Sequence, residues 1–279
     1  MASDRSLVLG GGGVTGIAWE LGVVEAWLRS GVDVRTADLA IGTSAGSAVA
    51  AQLWSGAPVE ELVARQLDAS TTELLPTMDL DLVIRIFMEA AETPGTHEER
   101  CAVVGALALE APTLPEAVRR EIVAARLPST EWSDRPLLIT AVDCETGGFA
   151  LFDRTKDVEL VDAVAASCAV PGVWPPVTIN GRRYMDGGVW SPTNAFLAGE
   201  HERVVVLSPL PAEQVPAAKA EVARLREAGA DVLFLEADGA ALAEMGPNPL
   251  DPAKRSVALE AGRRQGEASL DALRAIWEG

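Results

Sequence analysis

The first group of residues that could do chemistry is a serine placed between two glycines. Gly42, Ser44 and Gly46 form a Gly-x-Ser-x-Gly turn, after the apolar run Leu39-Ala40-Ile41 and before a helical pattern over Ser47 to Trp54. A serine in this setting stands on a sharp turn above the edge of a sheet, and the helix N-terminus stabilises a developing negative charge. The pattern predicts that Ser44 is the nucleophile of an acyl-transfer reaction. A tight strand-to-helix turn without chemistry is the alternative.

A glycine run near the N-terminus offers backbone donors between the apolar run Leu7-Val8-Leu9 and a helical pattern. It fits Gly-x-Gly-x-x-Gly with four glycines: Gly11, Gly12, Gly13 and Gly16. Such a loop can bind the pyrophosphate of a dinucleotide, form an oxyanion hole, or simply pack tightly. The dinucleotide fingerprint requires an acidic residue at the end of a second strand about 20 residues further on. Asp33 and Asp38 are near that distance, but the next clear strand ends in the serine turn. This favours an oxyanion hole formed by the first three glycines.

A base for the serine proton has to be found outside the histidines. The chain has two, His97 and His201, and neither follows a strand pattern, so both are predicted to be solvated surface residues. Asp186 ends a strand pattern and is followed by Gly187 and Gly188, which leave its carboxylate unobstructed. A carboxylate is a weak base, and partial desolvation would make it more basic. Asp186 is therefore the candidate base; an aspartate that only closes a turn is the alternative.

The elements that must position these residues alternate between strands and helices. Further strands are predicted at 136–142, 149–152, 204–207 and 232–235, and Asn180-Gly181 predicts a type I′ turn in a hairpin. Shorter helices are predicted at 160–168 and 212–228. Residues 58–127 are predicted to be an insertion of about four helices, with a capping box at Thr113 and Glu116. Residues 251–277 are predicted to form one closing helix. This order indicates an α/β fold in which helices cover both faces of a mostly parallel sheet.

Composition limits the classes of partner. The 279 residues carry 41 Asp and Glu against 23 Lys and Arg, a net charge of −18, which opposes binding to nucleic acid and to anionic lipid surfaces. Membrane contact is expected to be transient at most. Three cysteines without metal-ligand spacing are expected to be structural, and no metal or organic cofactor is required. The sequence lacks a signal-peptide pattern and a long apolar segment, from which we expect a cytoplasmic protein.

Taken in order, the three motifs resemble those of the patatin-like phospholipases. The matching segments are Gly11-Gly12-Gly13-Val14-Thr15-Gly16, Gly42-Thr43-Ser44-Ala45-Gly46 and Asp186-Gly187-Gly188. Ala166-Ser167-Cys168-Ala169-Val170-Pro171-Gly172, Pro192-Thr193-Asn194 and Thr140-Ala141-Val142-Asp143 also resemble bacterial members, and the resemblance covers roughly residues 6–210. It implies a three-layer α/β/α fold, a Ser44–Asp186 dyad, and an oxyanion hole in the first motif. Thr15 is a departure, because the family often has Arg or Lys there, and this weakens the expectation of a phospholipid substrate.

The sequence therefore predicts one patatin-like domain over 6–279, with its motif-bearing core in 6–210. The predicted activity is that of a serine acyl hydrolase, which cleaves lipid or other acyl esters through an acyl-enzyme. One alternative is a non-catalytic scaffold of the same fold that binds a lipid or a partner. The other is a dinucleotide-binding oxidoreductase. The natural ester and the oligomeric state are not predicted.

Overall fold

The apolar runs of the sequence form the strands of one mixed sheet. The computed structural model describes residues 4–68, 73–76, 79–210 and 216–278. In these residues the strands are β1 (Arg5–Leu9), β2 (Leu39–Gly42), β3 (Leu137–Asp143), β4 (Phe149–Phe152), β5 (Val177–Ile179), β6 (Arg182–Asp186), β7 (Arg203–Ser208) and β8 (Asp231–Glu236).

Most of the sheet is parallel, as predicted. The strand order is β5-β6-β3-β2-β1-β7-β8, with β4 also paired to β3. The five strands from β3 to β8 in this order are parallel, whereas β4 and β6 run antiparallel to β3, and β5 runs antiparallel to β6. Asn180 and Gly181, which join β5 to β6, have φ of 50° and 78°. Positive φ at both positions is what the predicted type I′ turn requires.

Helices cover both faces of this sheet. They are α1 (Gly13–Arg29), α2 (Ala45–Trp54), α3 (Val59–Leu67), α4 (Leu80–Glu92), α5 (His97–Glu110), α6 (Glu116–Arg126), α7 (Leu160–Ser167), α8 (Pro216–Glu227), α9 (Gly239–Met245), α10 (Arg255–Ala268) and α11 (Leu270–Trp277). Side chains alternate between the two faces of a strand. Leu7 and Leu9 accordingly pack in the core with α1, α2, α7 and α10, whereas Val8 packs in a second core with α8.

Four helices, α3 to α6, occupy the stretch that is predicted to be a helical insertion, of which residues 69–72 and 77–78 lie outside the described part. The capping box predicted at Thr113 and Glu116 is wrong. Pro115 is the N-cap of α6, and the Glu116 carboxylate instead accepts hydrogen bonds from the N–H and hydroxyl of Thr178. A capping box does form at the start of α5, between Thr96 and Glu99.

The single closing helix predicted over 251–277 is also wrong. A 3-10 turn precedes α10, and Ser269 separates α10 from α11. The indole of Trp27 in α1 donates to the Gly266 carbonyl and to the Ser269 hydroxyl, both at 3.0 Å. A contact from a distant helix thus satisfies groups at the break, and such a contact is not visible in the local pattern.

Helices α8 and α9 differ from the prediction or extend beyond what can be compared with it. The sequence does not predict α9, and the helix predicted over 212–228 is described from Pro216 onward, since 211–215 lie outside the described residues. None of the helices in the described ranges has the length and apolar character needed to cross a bilayer.

Candidate active site

The register of β3 brings the ends of two other strands together. β4 pairs with both Ile139 and Ala141 of β3, and so occupies one edge of that strand. Ile139 also pairs with Gly42 of β2, and Ala141 also pairs with Asp186 of β6. β2 and β6 therefore share the other edge of β3 and approach each other from opposite directions. This arrangement places the turn after β2 beside the last residue of β6.

Ser44 and Asp186 are in direct contact at this point. The Ser44 hydroxyl donates a hydrogen bond to Asp186 Oδ2 at 2.7 Å, and the two residues are 7% and 4% exposed. Ser44 has φ 52° and ψ −118°, a conformation that few L-residues adopt. Its own N–H donates to Ser167 Oγ at 3.0 Å, and its carbonyl accepts from the thiol of Cys168 at 3.1 Å. The strained turn is thus held by bonds from the end of α7.

Burial makes the carboxyl group of Asp186 a stronger base than an exposed aspartate. Desolvation raises the pKa of Asp186 to about 7. Three interactions oppose this effect: the hydrogen bond from Ser44, the hydrogen bond from the Gly188 N–H to Asp186 Oδ1 at 2.7 Å, and the positive charge of Arg119. The result is a base whose pKa is close to neutral pH, the range in which proton transfer is most effective.

The amide of Asn194 joins the two halves of the site. Its Nδ2 donates to Thr43 Oγ1 at 3.0 Å, to the Ser191 carbonyl at 2.8 Å and to the Gly187 carbonyl at 3.2 Å. Thr43 precedes the serine, and Gly187 follows the aspartate. Asn194, which is fully buried with φ 50°, therefore helps to fix the distance between Ser44 and Asp186.

The glycines of the first motif lie beside Ser44 and Asp186, and in the described part of the chain two of their backbone N–H groups are free to bind an anion. The N–H of Gly11 donates to the Pro192 carbonyl at 2.8 Å, so it is not available as the oxyanion donor that the sequence predicted. Within the described residues, the N–H groups of Gly12 and Gly13 have no acceptor. Gly13 begins α1 with φ 62°, a left-handed conformation that favours glycine. Free N–H groups at a helix N-terminus attract negative charge.

Three of the five remaining motif glycines lie where backbones meet. A Cβ on Gly46 would clash with the Leu9 carbonyl, one on Gly187 would clash with Thr140, and one on Gly42 would come 2.5 Å from the Ser47 Cα. The other two are less crowded: a Cβ on Gly16 would come 3.2 Å from Pro209, and one on Gly188 would come 3.0 Å from Asp186 Oδ1.

A cavity of about 540 Å³ opens onto the serine and the aspartate. The glycines of the first motif form part of its wall, and the rest is mainly apolar: Val83, Phe87, Val170, Pro171, Val173, Val189, Leu210 and Leu250. Val83 and Phe87 belong to α4, so the helical insertion contributes directly to the wall. An apolar cavity of this size with a few convergent polar groups is typical of a small-molecule site.

Several other candidates lie away from this cavity. His97 Nε2 bonds the Trp190 carbonyl at 3.0 Å, the N–H of His201 donates to the Ala198 carbonyl, and neither histidine lines the cavity. Asp33 pairs with Arg35, and Asp38 accepts from the N–H of Arg5 at 2.9 Å. Arg5 is the first residue of β1 and the glycine loop follows the last, so Asp38 lies at the opposite end of that strand from the loop.

Thr15, the departure from the family pattern, is 2% exposed, and its hydroxyl donates to the Pro249 carbonyl at 3.3 Å.

Sequence reasoning gave no catalytic or positioning role to Ser167, Cys168 or Asn194, although two of the segments that carry the resemblance contain them. Ser167 and Cys168 are small polar residues at the end of an otherwise apolar helical pattern, and this pattern could have indicated them.

The fold and the site define an α/β protein with a buried Ser–Asp pair beside an apolar cavity. The family model described as "Patatin-like phospholipase" matches residues 7–198, and the chain belongs to that family. Curated protein sequences contain no significant match.

The fold is similar to that of a solved structure. VipD from Legionella pneumophila is similar over 97% of this chain and 67% of VipD, with a TM-score of 0.51 and 15% sequence identity. The type III effector protein ExoU is similar over 97% of this chain and 53% of ExoU, with a TM-score of 0.44 and 15% identity. The chain thus spans about half the length of ExoU and two thirds of VipD.

Proposed function

We propose that this protein is a serine acyl hydrolase that cleaves esters of apolar acyl chains with a Ser44–Asp186 dyad. The observation that carries the proposal is the 2.7 Å hydrogen bond from the Ser44 hydroxyl to a buried carboxylate at the wall of an apolar cavity. Family membership supports an acyl hydrolase of lipid esters. The dyad, the oxyanion donors and the neutral or zwitterionic character of the substrate are the finer parts of the proposal.

In the first half of the reaction, Asp186 Oδ2 accepts the proton of Ser44 as Ser44 Oγ attacks the ester carbonyl carbon. The carbonyl oxygen becomes an oxyanion, which the N–H groups of Gly12 and Gly13 and the N-terminus of α1 stabilise. The tetrahedral intermediate collapses when the bond to the leaving oxygen breaks. The leaving alcohol takes the proton from Asp186, and the acyl group stays on Ser44.

In the second half, water replaces the alcohol. Asp186 accepts a proton from the water as the water oxygen attacks the acyl-enzyme carbonyl, and the same glycine donors hold the new oxyanion. Collapse breaks the bond to Ser44 Oγ, which recovers its proton from Asp186. The products are a carboxylic acid and the free enzyme, and no cofactor enters the proton or atom balance.

The substrate part of the proposal comes from the cavity. Its wall beyond the dyad is mainly apolar, which suits an acyl chain, and in the described residues no cationic side chain lines it. An anionic group next to the ester would find no cationic partner there. We therefore favour neutral or zwitterionic acyl esters over anionic ones.

The test combines covalent labelling with four single variants. A fluorophosphonate probe should label Ser44, with the adduct located by mass spectrometry, and Ser44→Ala should lose hydrolysis of a nitrophenyl ester by several orders of magnitude. Asp186→Asn should be nearly as damaging, because an amide cannot accept the serine proton. His97→Ala and His201→Ala are the matched controls and should retain most activity.

Two results would overturn the proposal. If Ser44→Ala retains more than about a tenth of the activity, Ser44 is not the nucleophile. If a histidine variant is as inactive as Asp186→Asn, a triad replaces the dyad. Ester binding without hydrolysis by the wild type would instead identify a non-catalytic lipid-binding scaffold, and tight binding of NAD(P)H would identify the oxidoreductase.

A further inference from the structure

Helix α6 of the insertion carries an arginine that points into the protein. Arg119 is 3% exposed, and its guanidinium carbon lies 3.7 Å from the centroid of the Trp174 ring. A small cavity beside the nucleophile is lined by Arg119 and Arg126 together with Ser44 and Cys168. A long charged side chain that is buried at this position loses the hydration of its charge, so compensating interactions have to come from the protein.

The hydrogen-bonding groups of Arg119 are not fully used. Its Nε and Nη1 are buried without a hydrogen-bond partner in the described residues. Arg126, two helical turns further along α6, differs in this respect, because it forms a buried ion pair with Glu73. The charge of Arg126 is thus compensated by a bonded carboxylate, whereas Arg119 has only the face of Trp174 and more distant charges.

Three charged groups act on the charge of Arg119. Arg126 disfavours it, while Glu73 and Asp186 favour it. Burial lowers the pKa of Arg119 to about 9, which still leaves a cation at neutral pH. The interaction is mutual, since the charge of Arg119 lowers the pKa of Asp186 against the effect of desolvation.

The groups that act on the Asp186 carboxyl come from four segments. They are the Ser44 hydroxyl, the Gly188 N–H, the Cys168 thiol and the Arg119 guanidinium. Burial raises the pKa of the Cys168 thiol, so at neutral pH that group is uncharged. Of these four, Arg119 is therefore the one that brings a positive charge.

We infer that Arg119 is a positioning residue of the dyad, whose buried cation keeps Asp186 in the carboxylate form that accepts the serine proton. This inference rests on the proposed function. It gives the insertion a second role: α4 lines the cavity, and α6 supplies a charge behind the nucleophile. The unpaired Nε and Nη1 fit this role, because a bonded counter-ion would cancel the charge that acts on Asp186.

Loss of the cation leaves the desolvation of Asp186 less opposed. An opposite charge close to a carboxyl typically lowers the pKa of that carboxyl by about one unit or more. In a plot of kcat/KM against pH, the acid limb is the range in which kcat/KM falls as the pH is lowered. Arg119→Met should therefore move the acid limb to higher pH by roughly one unit. Below the limb, kcat/KM should fall about tenfold relative to the wild type. The kcat/KM values of the wild type and of Arg119→Met should approach each other as the pH rises above the acid limbs of both.

The experiment measures kcat/KM from pH 5 to 9 with a short-chain, uncharged nitrophenyl ester. Arg119→Lys keeps a cation and should leave the acid limb near that of the wild type. Arg120→Met is the matched control, because it removes the same net charge from the neighbouring residue. Arg120 pairs with Glu159 and Asp162 at the surface. Its acid limb should not move.

An acid limb that is unchanged in Arg119→Met, or a loss of activity by the same factor at every pH, would overturn the inference and leave Arg119 a packing residue. If Arg119→Met does not fold, as judged by circular dichroism, Arg119→Gln carries the same prediction. Ser44→Ala is included in the series. If Ser44→Ala is active, the proposed function fails. If Ser44→Ala is inactive and the acid limb of Arg119→Met does not move, only the role of Arg119 fails.

Discussion

At the scale of single residues, the site depends on a carboxyl group that burial has made basic. The pKa of Asp186 is raised to about 7. In the proposed mechanism the carboxylate is the form that accepts the serine proton, so we expect kcat/KM of the wild type to rise about tenfold per pH unit below that value and to level off above it. A pH–rate profile with an uncharged ester measures this directly. A flat profile between pH 5 and 8 would contradict it.

The same shift has a consequence for stability, with the opposite sign to that of a salt-bridged aspartate. A folded-state pKa above the unfolded value means that the native state holds the proton more tightly, so stability is lost as the pH rises from about 4 to about 7. At pH 8 the buried charge then costs up to roughly 4 kcal/mol. Asp186→Asn should therefore be more stable than the wild type at pH 8 and gain little at pH 4.

Denaturant unfolding of both proteins at the two pH values measures this difference. Other titrating groups are common to both proteins, so they cancel in the comparison. A stability difference that is the same at pH 4 and pH 8 would show that the pKa of Asp186 is not raised.

At the scale of elements, the serine turn depends on the close approach of β1 to α2. A Cβ on Gly46 would clash with the Leu9 carbonyl, an atom of β1 that cannot move aside as a flexible side chain could. Gly46→Ala should therefore destabilise the protein by about 3 kcal/mol or more and lower the melting temperature. Gly239→Ala is the control, since nothing lies within 4 Å of its Cβ position at the start of α9. Equal melting temperatures for the two variants would contradict this packing.

Helix α4 brings the insertion to the wall of the apolar cavity. Phe87 lines the cavity and is 40% exposed, whereas Ile84 on the same helix is 51% exposed and does not line it. Phe87→Ala removes apolar wall, worth about 1 kcal/mol to a chain that contacts it, so kcat/KM for a long-chain ester should fall about fivefold. Hydrolysis of a butyrate ester should change much less. Ile84→Ala should alter neither, and an equal loss for both chain lengths in Phe87→Ala would indicate a general loss of structure.

At the scale of the whole molecule, net charge bears on the choice of lipid surface. A charge of −18 repels anionic surfaces over a range that shortens to about 8 Å at 0.15 M salt. We expect faster hydrolysis on neutral or zwitterionic mixed micelles than on anionic vesicles, with the difference shrinking as salt is added. Initial rates on both substrates across a salt series measure this. Faster hydrolysis on anionic vesicles at low salt would mean that a local basic patch outweighs the net charge.

Much of the fold was predictable because its signals are local. The runs Leu7-Val8-Leu9 and Leu39-Ala40-Ile41 are buried strands, and the glycines that follow them end those strands as predicted. The hairpin turn at Asn180-Gly181 was predictable for the same reason, since the positive φ values depend on two adjacent residues. Where a long-range contact decided the outcome, local patterns gave the wrong answer. Glu116 bonds Thr178 rather than capping α6, and Trp27 contacts the break between α10 and α11.

The candidate site divides in the same way. Sequence by itself determined that Ser44 sits on a strand-to-helix turn and that Asp186 ends a strand, because both follow from residue types and their immediate neighbours. Tertiary structure decided that the two meet at 2.7 Å, through the shared edge of β3, and that burial raises the pKa of Asp186. It also decided that the Gly11 N–H is bonded to Pro192, and that Arg119 lines one cavity together with Ser44. Hydrogen bonding and desolvation depend on atoms that are distant in sequence, so only the folded chain fixes them.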